Sequence, residues 1–489
     1  MQPKSSDMMR RSLRVRAALA VAFSGALWFL STGPNHVWGL TWIAPVPLLL
    51  VLLDLRLARA AMTAFIASAL GALNWSVAYG FSIALVLMIA VPFTLAVTVW
   101  RVVARRAAPP MPVLAYAALI SSSEFLFSRI SPHGTLGSIA YSQGDVPVLL
   151  QLASVTGIWG ITFVVSLVAA AIAMTWRHRR DRSTAVLCIS VGAVPILAVV
   201  LFGGVRLATA PQGAEVRVGL AVSDVEAVDQ LASGDPGDAL QSLRAYGNRV
   251  AMLAAEGVMI AVLPEKFVRV TSENAEQAAA ILREAAQTNR VMIVAGWLVE
   301  TSAGRRNVAV VFDPDGKVVL EYDKQHLIPG IELNYLRGDT IGVLEGIPPR
   351  GVAICKDLDF PALGRAYGEA GVGLLLVPAW DFVHDRWVHS RMATLRGVES
   401  GYAMARTATA GLLTVSDSYG RVLAERASDE SDEVLLSAIV RPGPGGTFYS
   451  RNGDWFGWLC LALVLAACVA AILGTPPNRH LQPTAAGAL

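Results

Sequence analysis

The sequence predicts a multi-span α-helical membrane domain carrying one inserted, water-facing α/β domain, and three observations support this. The 489 residues are 54% hydrophobic and only 16% charged, and a mean hydropathy of +0.52 is too high for an ordinary soluble chain. Apolar stretches near bilayer length fill the first two hundred residues and recur once near the end. Residues 213–440, by contrast, hold 21 of the 40 Lys and Arg and 31 of the 37 Asp and Glu, a net of −10 that leaves +13 elsewhere. That split disfavours a nucleic-acid binder, whose basic charge would gather on a folded, exposed face. Four cysteines are too few for a disulfide scaffold.

Eight apolar spans are expected, at Ala17–Thr32, Trp38–Leu53, Ala60–Phe81, Ile83–Trp100, Pro112–Phe127, Leu149–Trp176, Ala185–Val205 and Trp455–Leu473. Pro45, Pro47 and Pro92 should kink or break the second and fourth, which lipid tolerates only where other groups satisfy the freed backbone. The first span follows several arginines and is short enough to pass for a signal peptide, but no small-residue cleavage site follows it, so it is expected to be an anchor. Basic residues fall in every second loop: Arg10, Arg11, Arg14 and Arg16, then Arg56 and Arg59, then Arg101, Arg105 and Arg106, then Arg177, Arg179, Arg180 and Arg182. The alternate loops carry only Arg129. The positive-inside rule then puts the N-terminus in the cytoplasm and the inserted domain outside it. The expected domains are 1–212 (seven spans), 213–440 (extracytoplasmic) and 441–489 (a last span, then a disordered cytoplasmic tail after Arg479).

Within 213–440, buried strands are expected at Val216–Val222, Val258–Leu263, Val291–Leu298, Val308–Asp313, Gly351–Cys355 and Leu374–Val377. Helical spacing of apolar residues covers Ala239–Glu256 and Asn274–Thr288, and His389–Arg406 reads as a third long helix. Strands alternating with helices make this an α/β domain.

Cys188, Cys460 and Cys468 lie in expected spans, which leaves Cys355 as the only thiol of the inserted domain. A free thiol in an oxidising compartment calls for an explanation. Cys355 ends a strand and opens the turn Lys356-Asp357-Leu358-Asp359, where α/β sheets expose reactive groups. Glu265 and Lys324 end two other strands or turns. Each alone is ordinary surface chemistry. Together a thiol, a carboxylate and a cation supply the nucleophile, proton carrier and oxyanion stabiliser that acyl transfer through a covalent intermediate requires. His384 and His389 lack an intervening glutamate motif, so no zinc site is expected.

At these residues the chain resembles the nitrilase superfamily. Leu263-Pro264-Glu265, Tyr322-Asp323-Lys324-Gln325-His326-Leu327-Ile328-Pro329 and Gly351-Val352-Ala353-Ile354-Cys355 resemble its glutamate, lysine and cysteine motifs, in order. Glu332 falls where the superfamily places a supporting glutamate. The resemblance implies an αββα sandwich with Glu265, Lys324 and Cys355 as catalytic triad. With seven spans before the domain and one after it, the whole chain resembles the membrane-bound apolipoprotein N-acyltransferase family. Ser123-Glu124-Phe125, Ala140-Tyr141-Ser142-Gln143, the stretch Leu152–Gly160 and Thr447-Phe448-Tyr449-Ser450-Arg451-Asn452-Gly453-Asp454-Trp455 are similar to that family's other motifs. Glu124 itself reads as an interfacial carboxylate rather than a catalytic one.

This resemblance implies a bacterial inner-membrane enzyme without metal or cofactor. A fatty acyl chain would pass from a phospholipid to Cys355 as a thioester, then to the N-terminal amine of a diacylglyceryl-cysteine lipoprotein. Glu265 would be the general base, Lys324 the oxyanion partner, and Glu332 would orient Lys324. The family's Tyr-Glu after the nucleophile is Lys356-Asp357 here, and its Asn-Asp-Ala-Trp-Phe is Val377-Pro378-Ala379-Trp380-Asp381-Phe382. Lys356 either lowers the thiol pKa or is a solvated neighbour. Trp380, Phe382 and Trp387 either line an acyl-chain channel or membrane-facing surface, or pack a loop onto the sandwich. Two other functions fit the same residues: a tethered amidase or hydrolase that resolves the thioester with water, and a non-catalytic membrane scaffold.

Overall fold

The computed structural model describes residues 3–80, 82–209, 213–225 and 236–473. The expected tail after Arg479 lies outside the described residues. The chain forms two compact units, one of Met1–Leu126, Thr162–Ala198 and Phe456–Leu489, the other of Phe127–Ile161 and Val199–Trp455.

Seven helices among the described residues are long and apolar enough to cross a bilayer: Met8–Ser31, Leu57–Ala78, Ile83–Ala104, Met111–Ile130, Ile158–Arg177, Arg182–Ala208 and Trp455–Leu473. Pro92 sits inside an unbroken helix. The second expected span is broken, as its prolines predict: Trp38–Thr41 and Val46–Leu52 are separate short helices. Pro45, at the N-cap of the second, has no N–H to continue the first and disfavours helix in the residue before it. The broken pair nevertheless retraces the first helix. Thr41 Oγ1 donates to Ser31 O at 3.1 Å, while beyond Leu52, Asp54 meets Arg16 at 3.6 Å and Arg177 at 3.1 Å. Arg101 is buried and donates through Nε to Leu52 O at 2.9 Å, satisfying a carbonyl that the helix end leaves open. Arg16, Arg101 and Arg177, from three of the basic clusters, thus meet one stretch, Leu52–Leu55. In the same unit Glu124 accepts from Thr162 Oγ1 at 2.6 Å.

The sixth expected span begins later than Leu149. Pro147–Leu150 and Ala153–Thr156 are short helices, and the long one starts at Ile158. Gly157 breaks them apart with φ +65°, and a Cβ there would lie 2.5 Å from the Tyr449 ring.

The second unit holds fourteen strands among its described residues. They are β1 (Val216–Val222), β2 (Ile260–Val262), β3 (Val268–Val270), β4 (Met292–Thr301), β5 (Gly304–Phe312), β6 (Val318–Asp323) and β7 (Tyr335–Leu336). Then follow β8 (Gly342–Leu344), β9 (Arg350–Val352), β10 (Leu374–Trp380), β11 (Ala403–Thr409), β12 (Leu412–Ser416), β13 (Val422–Ala427) and β14 (Val434–Val440). One sheet runs β14-β1-β2-β4-β5-β6, with β3 also on β4 and β7 on β5; the other runs β13-β12-β11-β10-β9-β8. β1, β2 and β4 pair in parallel, as do β9, β10 and β11, and strands buried on both faces read as continuous apolar runs.

Alternation along β1 shows the layering. Val218, Leu220 and Val222 pack with Ile354, Leu374, Leu376 and Ala405 of the other sheet. Ala221 faces Leu243, Tyr246, Val250 and Leu282 of helices Pro236–Ala255 and Ala275–Asn289. On the far side Leu375, Val377 and Met404 pack with Leu363, Tyr367 and Ala393 of helices Pro361–Glu369 and Arg386–Ser400. The result is the expected αββα sandwich. The third expected helix is corrected: it ends at Ser400, Gly401 takes φ +81°, and Ala403–Arg406 belong to β11. Only a residue free of a Cβ turns this corner cheaply.

Candidate active site

Glu265 stands three residues beyond β2, Lys324 directly beyond β6 and Cys355 at the turn after β9. The sandwich brings the first two into direct contact. Lys324 Nζ lies 2.8 Å from Glu265 Oε1 and 3.1 Å from Glu332 Oε2, and all three side chains are buried. Asn307, on β5, donates through Nδ2 to Glu265 Oε1 at 2.6 Å and to Glu332 Oε1 at 2.9 Å. Lys266 Nζ reaches Glu332 Oε1 at 3.0 Å and Glu265 Oε1 at 3.8 Å. Ile328 N donates to Glu332 Oε2 at 2.8 Å, closing the loop that carries Glu332. Among the described residues, buried Glu265 Oε2 has no hydrogen-bond partner.

The Glu265 turn is held by close backbone approach. A Cβ on Gly296 of β4 would lie 2.3 Å from Pro264 O and 2.6 Å from Glu265 Cα, so only glycine admits the turn. Glu265 N also donates across to Ala379 O of β10 at 3.3 Å.

Cys355 is buried, has φ +42° and directs Sγ toward Trp380 O at 3.3 Å. A left-handed backbone at a non-glycine residue is costly and clusters at functional sites. Burial, then the Glu265 charge, pushes the thiol pKa up, against Lys324 and Arg406, which pull it down. The resting group is therefore a thiol, and its proton needs an acceptor. Burial alone would lower the Lys324 pKa, but the carboxylates of Glu265 and Glu332 outweigh it and hold the ammonium charged. Burial opposes ionisation of Glu332 too, yet Lys324 and Lys266 bring its pKa down to about 2.

Asp357 joins the cysteine turn to the lysine loop. Its Oδ2 accepts from Ile354 N at 3.1 Å and Tyr322 OH at 2.7 Å; its Oδ1 accepts from Gln325 N at 3.1 Å and His326 N at 2.9 Å. Lys356, in contrast, is not solvated. It is buried, 3.1 Å from Asp359 Oδ2 and 3.3 Å from His133 Nδ1.

The three aromatic candidates part company. Trp380 supplies the carbonyl facing Cys355 Sγ. Phe382 is exposed, with its N–H donating to Asp385 Oδ1 at 3.2 Å. Trp387 donates through Nε1 to Asp145 Oδ2 at 3.0 Å, with the Arg391 guanidinium 5.7 Å from its ring centroid. Sequence reasoning missed Asn307, Lys266, and the buried pair Arg406–Asp381 (Nη1 to Oδ2, 2.9 Å). Asn307 and Arg406 lie inside strands, but the expected strand began at Val308 and Arg406 fell within the expected helix His389–Arg406, so neither read as a polar residue at a core-facing strand position.

Residues 24–171 match the family model for the apolipoprotein N-acyltransferase N-terminal domain, and residues 227–445 that for carbon-nitrogen hydrolase. An apolipoprotein N-acyltransferase of Geobacter metallireducens is 27% identical over 380 residues, 71% of this chain and 71% of that one. One of Rhodopseudomonas palustris is 26% identical over 427 residues, 78% of this chain and 76% of that one. Among solved structures, an amidase from Nesterenkonia sp. is 21% identical with a TM-score of 0.41, covering 50% of this chain and 98% of the amidase.

Proposed function

The chain belongs to the apolipoprotein N-acyltransferase family of the nitrilase superfamily, and from that premise we propose that it moves a fatty acyl group from a phospholipid to the N-terminal amine of diacylglyceryl-cysteine lipoproteins. The observation that carries this reading is the division of labour within Glu265: Oε1 is engaged by Lys324 and Asn307, while buried Oε2 has no partner among the described residues. That oxygen takes the Cys355 proton. The thiolate attacks the ester carbonyl, Lys324 stabilises the oxyanion, and the lysophospholipid alkoxide leaves with the proton from Glu265. In the second half the amine attacks the thioester, Glu265 takes its proton, and the departing thiolate recovers it.

Both substrates are anchored in the membrane, and a chain with seven bilayer-length helices among its described residues would let them arrive by lateral diffusion. The broken helices Trp38–Thr41 and Val46–Leu52 serve as one further crossing, because they run from the level of Ser31 back to that of Arg16. With the basic loops cytoplasmic, the sandwich then faces the periplasm. Exposed Phe382 is suited to meet the acyl chain, and Trp380 shapes the site through its carbonyl.

The test is acyl transfer from phosphatidylethanolamine to a diacylated lipopeptide. Transfer that requires Cys355 and Glu265 supports the proposal; release of free fatty acid with no acylated peptide supports a hydrolase.

A further inference from the structure

Beside the four groups already assigned stands a second lysine. Lys266 follows Glu265 directly, takes φ +51°, and is buried. The left-handed turn costs energy at a lysine, and it aims Nζ at Glu332 Oε1 (3.0 Å) and Glu265 Oε1 (3.8 Å) rather than at solvent. Its remaining neighbours are Lys324, the other ammonium of the cluster, and the Tyr335 ring, 5.7 Å away. The buried charges of this cluster then number two carboxylates and two ammoniums, and the adjacent buried pair Arg406–Asp381, which faces Cys355 and Glu265, cancels within itself. Moving the Cys355 proton to Glu265, or forming the oxyanion, leaves that sum at zero. Without Lys266 the same cluster carries one uncompensated buried negative charge throughout, which low-dielectric surroundings penalise heavily.

We propose that Lys266 is a positioning residue that balances the charge of the catalytic cluster, so that Glu265 and Glu332 remain ionised together beside Lys324. This rests on the reading of Glu265 as the base for Cys355. Lys324 alone cannot neutralise both carboxylates. With Lys266 removed, one of them takes up a proton at higher pH, and because Asn307 and Lys324 bridge the two, the base is lost with it.

The experiment follows the rate of Cys355 alkylation by iodoacetamide against pH, read at the Cys355 peptide by mass spectrometry on the detergent-solubilised full chain. Wild type, Lys266→Met, Lys266→Arg and the double variant Glu332→Gln/Lys266→Met are compared. The acidic limb in Lys266→Met should move up by about one to three pH units, the range an opposite charge within a few ångströms commands. Lys266→Arg should keep the limb near its wild-type position, and the double variant, which removes one charge of each sign, should restore it. An unmoved limb in Lys266→Met, or one displaced equally in all three variants, overturns the proposal. If Lys266→Met does not fold, the double variant decides: a wild-type limb supports charge balance and a displaced one refutes it. Alkylation needs no acyl substrate, so a wild type with this limb but no acyl transfer would count against the proposed function alone. A limb that survives Glu265→Gln would count against Glu265 as the base.

Discussion

Replacing Asp357 by Asn should loosen the active site without removing any group that touches substrate. The carboxylate accepts from five donors, Ile354 N and Tyr322 OH on one oxygen, and Gln325 N, His326 N and His326 Nδ1 (3.1 Å) on the other. An amide can keep only one of those oxygens. If its NH2 faces Tyr322, the phenol can turn to accept, but the buried Ile354 N–H loses its partner; in the other orientation two loop N–H groups do. A hydrogen bond to a charged group is worth about 1.5–3 kcal/mol, and an orphaned buried donor costs about 1–3 kcal/mol. The substitution should therefore destabilise the sandwich by roughly 3 kcal/mol and slow acylation of Cys355, because the turn and the Lys324 loop are no longer tied. Thermal unfolding with and without Asp357→Asn, together with single-turnover acylation by intact mass, measures both. A melting temperature unchanged within a degree and an undiminished acylation rate would refute the assignment of Asp357 as the tie.

Other substitutions probe separate parts of the site. Lys324→Ala should lower the acylation rate by about 10²–10³-fold, as loss of an oxyanion donor does; full activity would remove Lys324 from that role. Gly296→Ala forces a methyl into Pro264 O and Glu265 Cα, so activity should fall with a stability loss of about 1–3 kcal/mol, read from turnover and unfolding together. His389 lies between Asp385 (3.0 Å) and Asp359 (3.8 Å), and although burial would lower its pKa, Asp385 first and Asp359 after it raise it to about 9. A raised folded pKa stabilises below the unfolded value near 6.5 and is lost as pH climbs to about 9. Melting temperature should accordingly fall over that window by an amount that His389→Gln abolishes, and an identical pH profile in the variant would contradict the ion pairs. Glu332 has the opposite sign: its stabilisation is present above about pH 4.5 and fades toward about 2, which Glu332→Gln should remove from acid-unfolding curves.

Where burial on both faces makes a strand wholly apolar, the sequence shows it directly: β1 has the expected bounds, Val216–Val222. β13 escaped notice because its residues are exposed or half-buried, Val422 and Leu423 among them, so no alternation marks it. The third helix overran into β11 because Ala403–Arg406 continues an apolar helical spacing, and only the corner at Gly401 separates the two. In the membrane unit Pro45 was visible as a breaker, but the distant Arg101 that caps the carbonyls of Leu52 and Leu55 is a contact no local pattern reveals. Cys355, Glu265 and Lys324 were legible because each sits at a strand end within a distinctive motif. Lys266 and Asn307 were not, since a lysine after a glutamate reads as surface and an asparagine just before an expected strand as accidental. Their meaning comes from Glu332, sixty-six and twenty-five residues away in sequence.

The most direct test is intact-mass analysis of the purified protein incubated with phosphatidylethanolamine, comparing wild type with Cys355→Ala, followed by addition of a diacylated lipopeptide. An acyl adduct that requires Cys355 and passes to the peptide amine is the expected result. No adduct on wild type, or an equal adduct on Cys355→Ala, would contradict acyl transfer through this thiol.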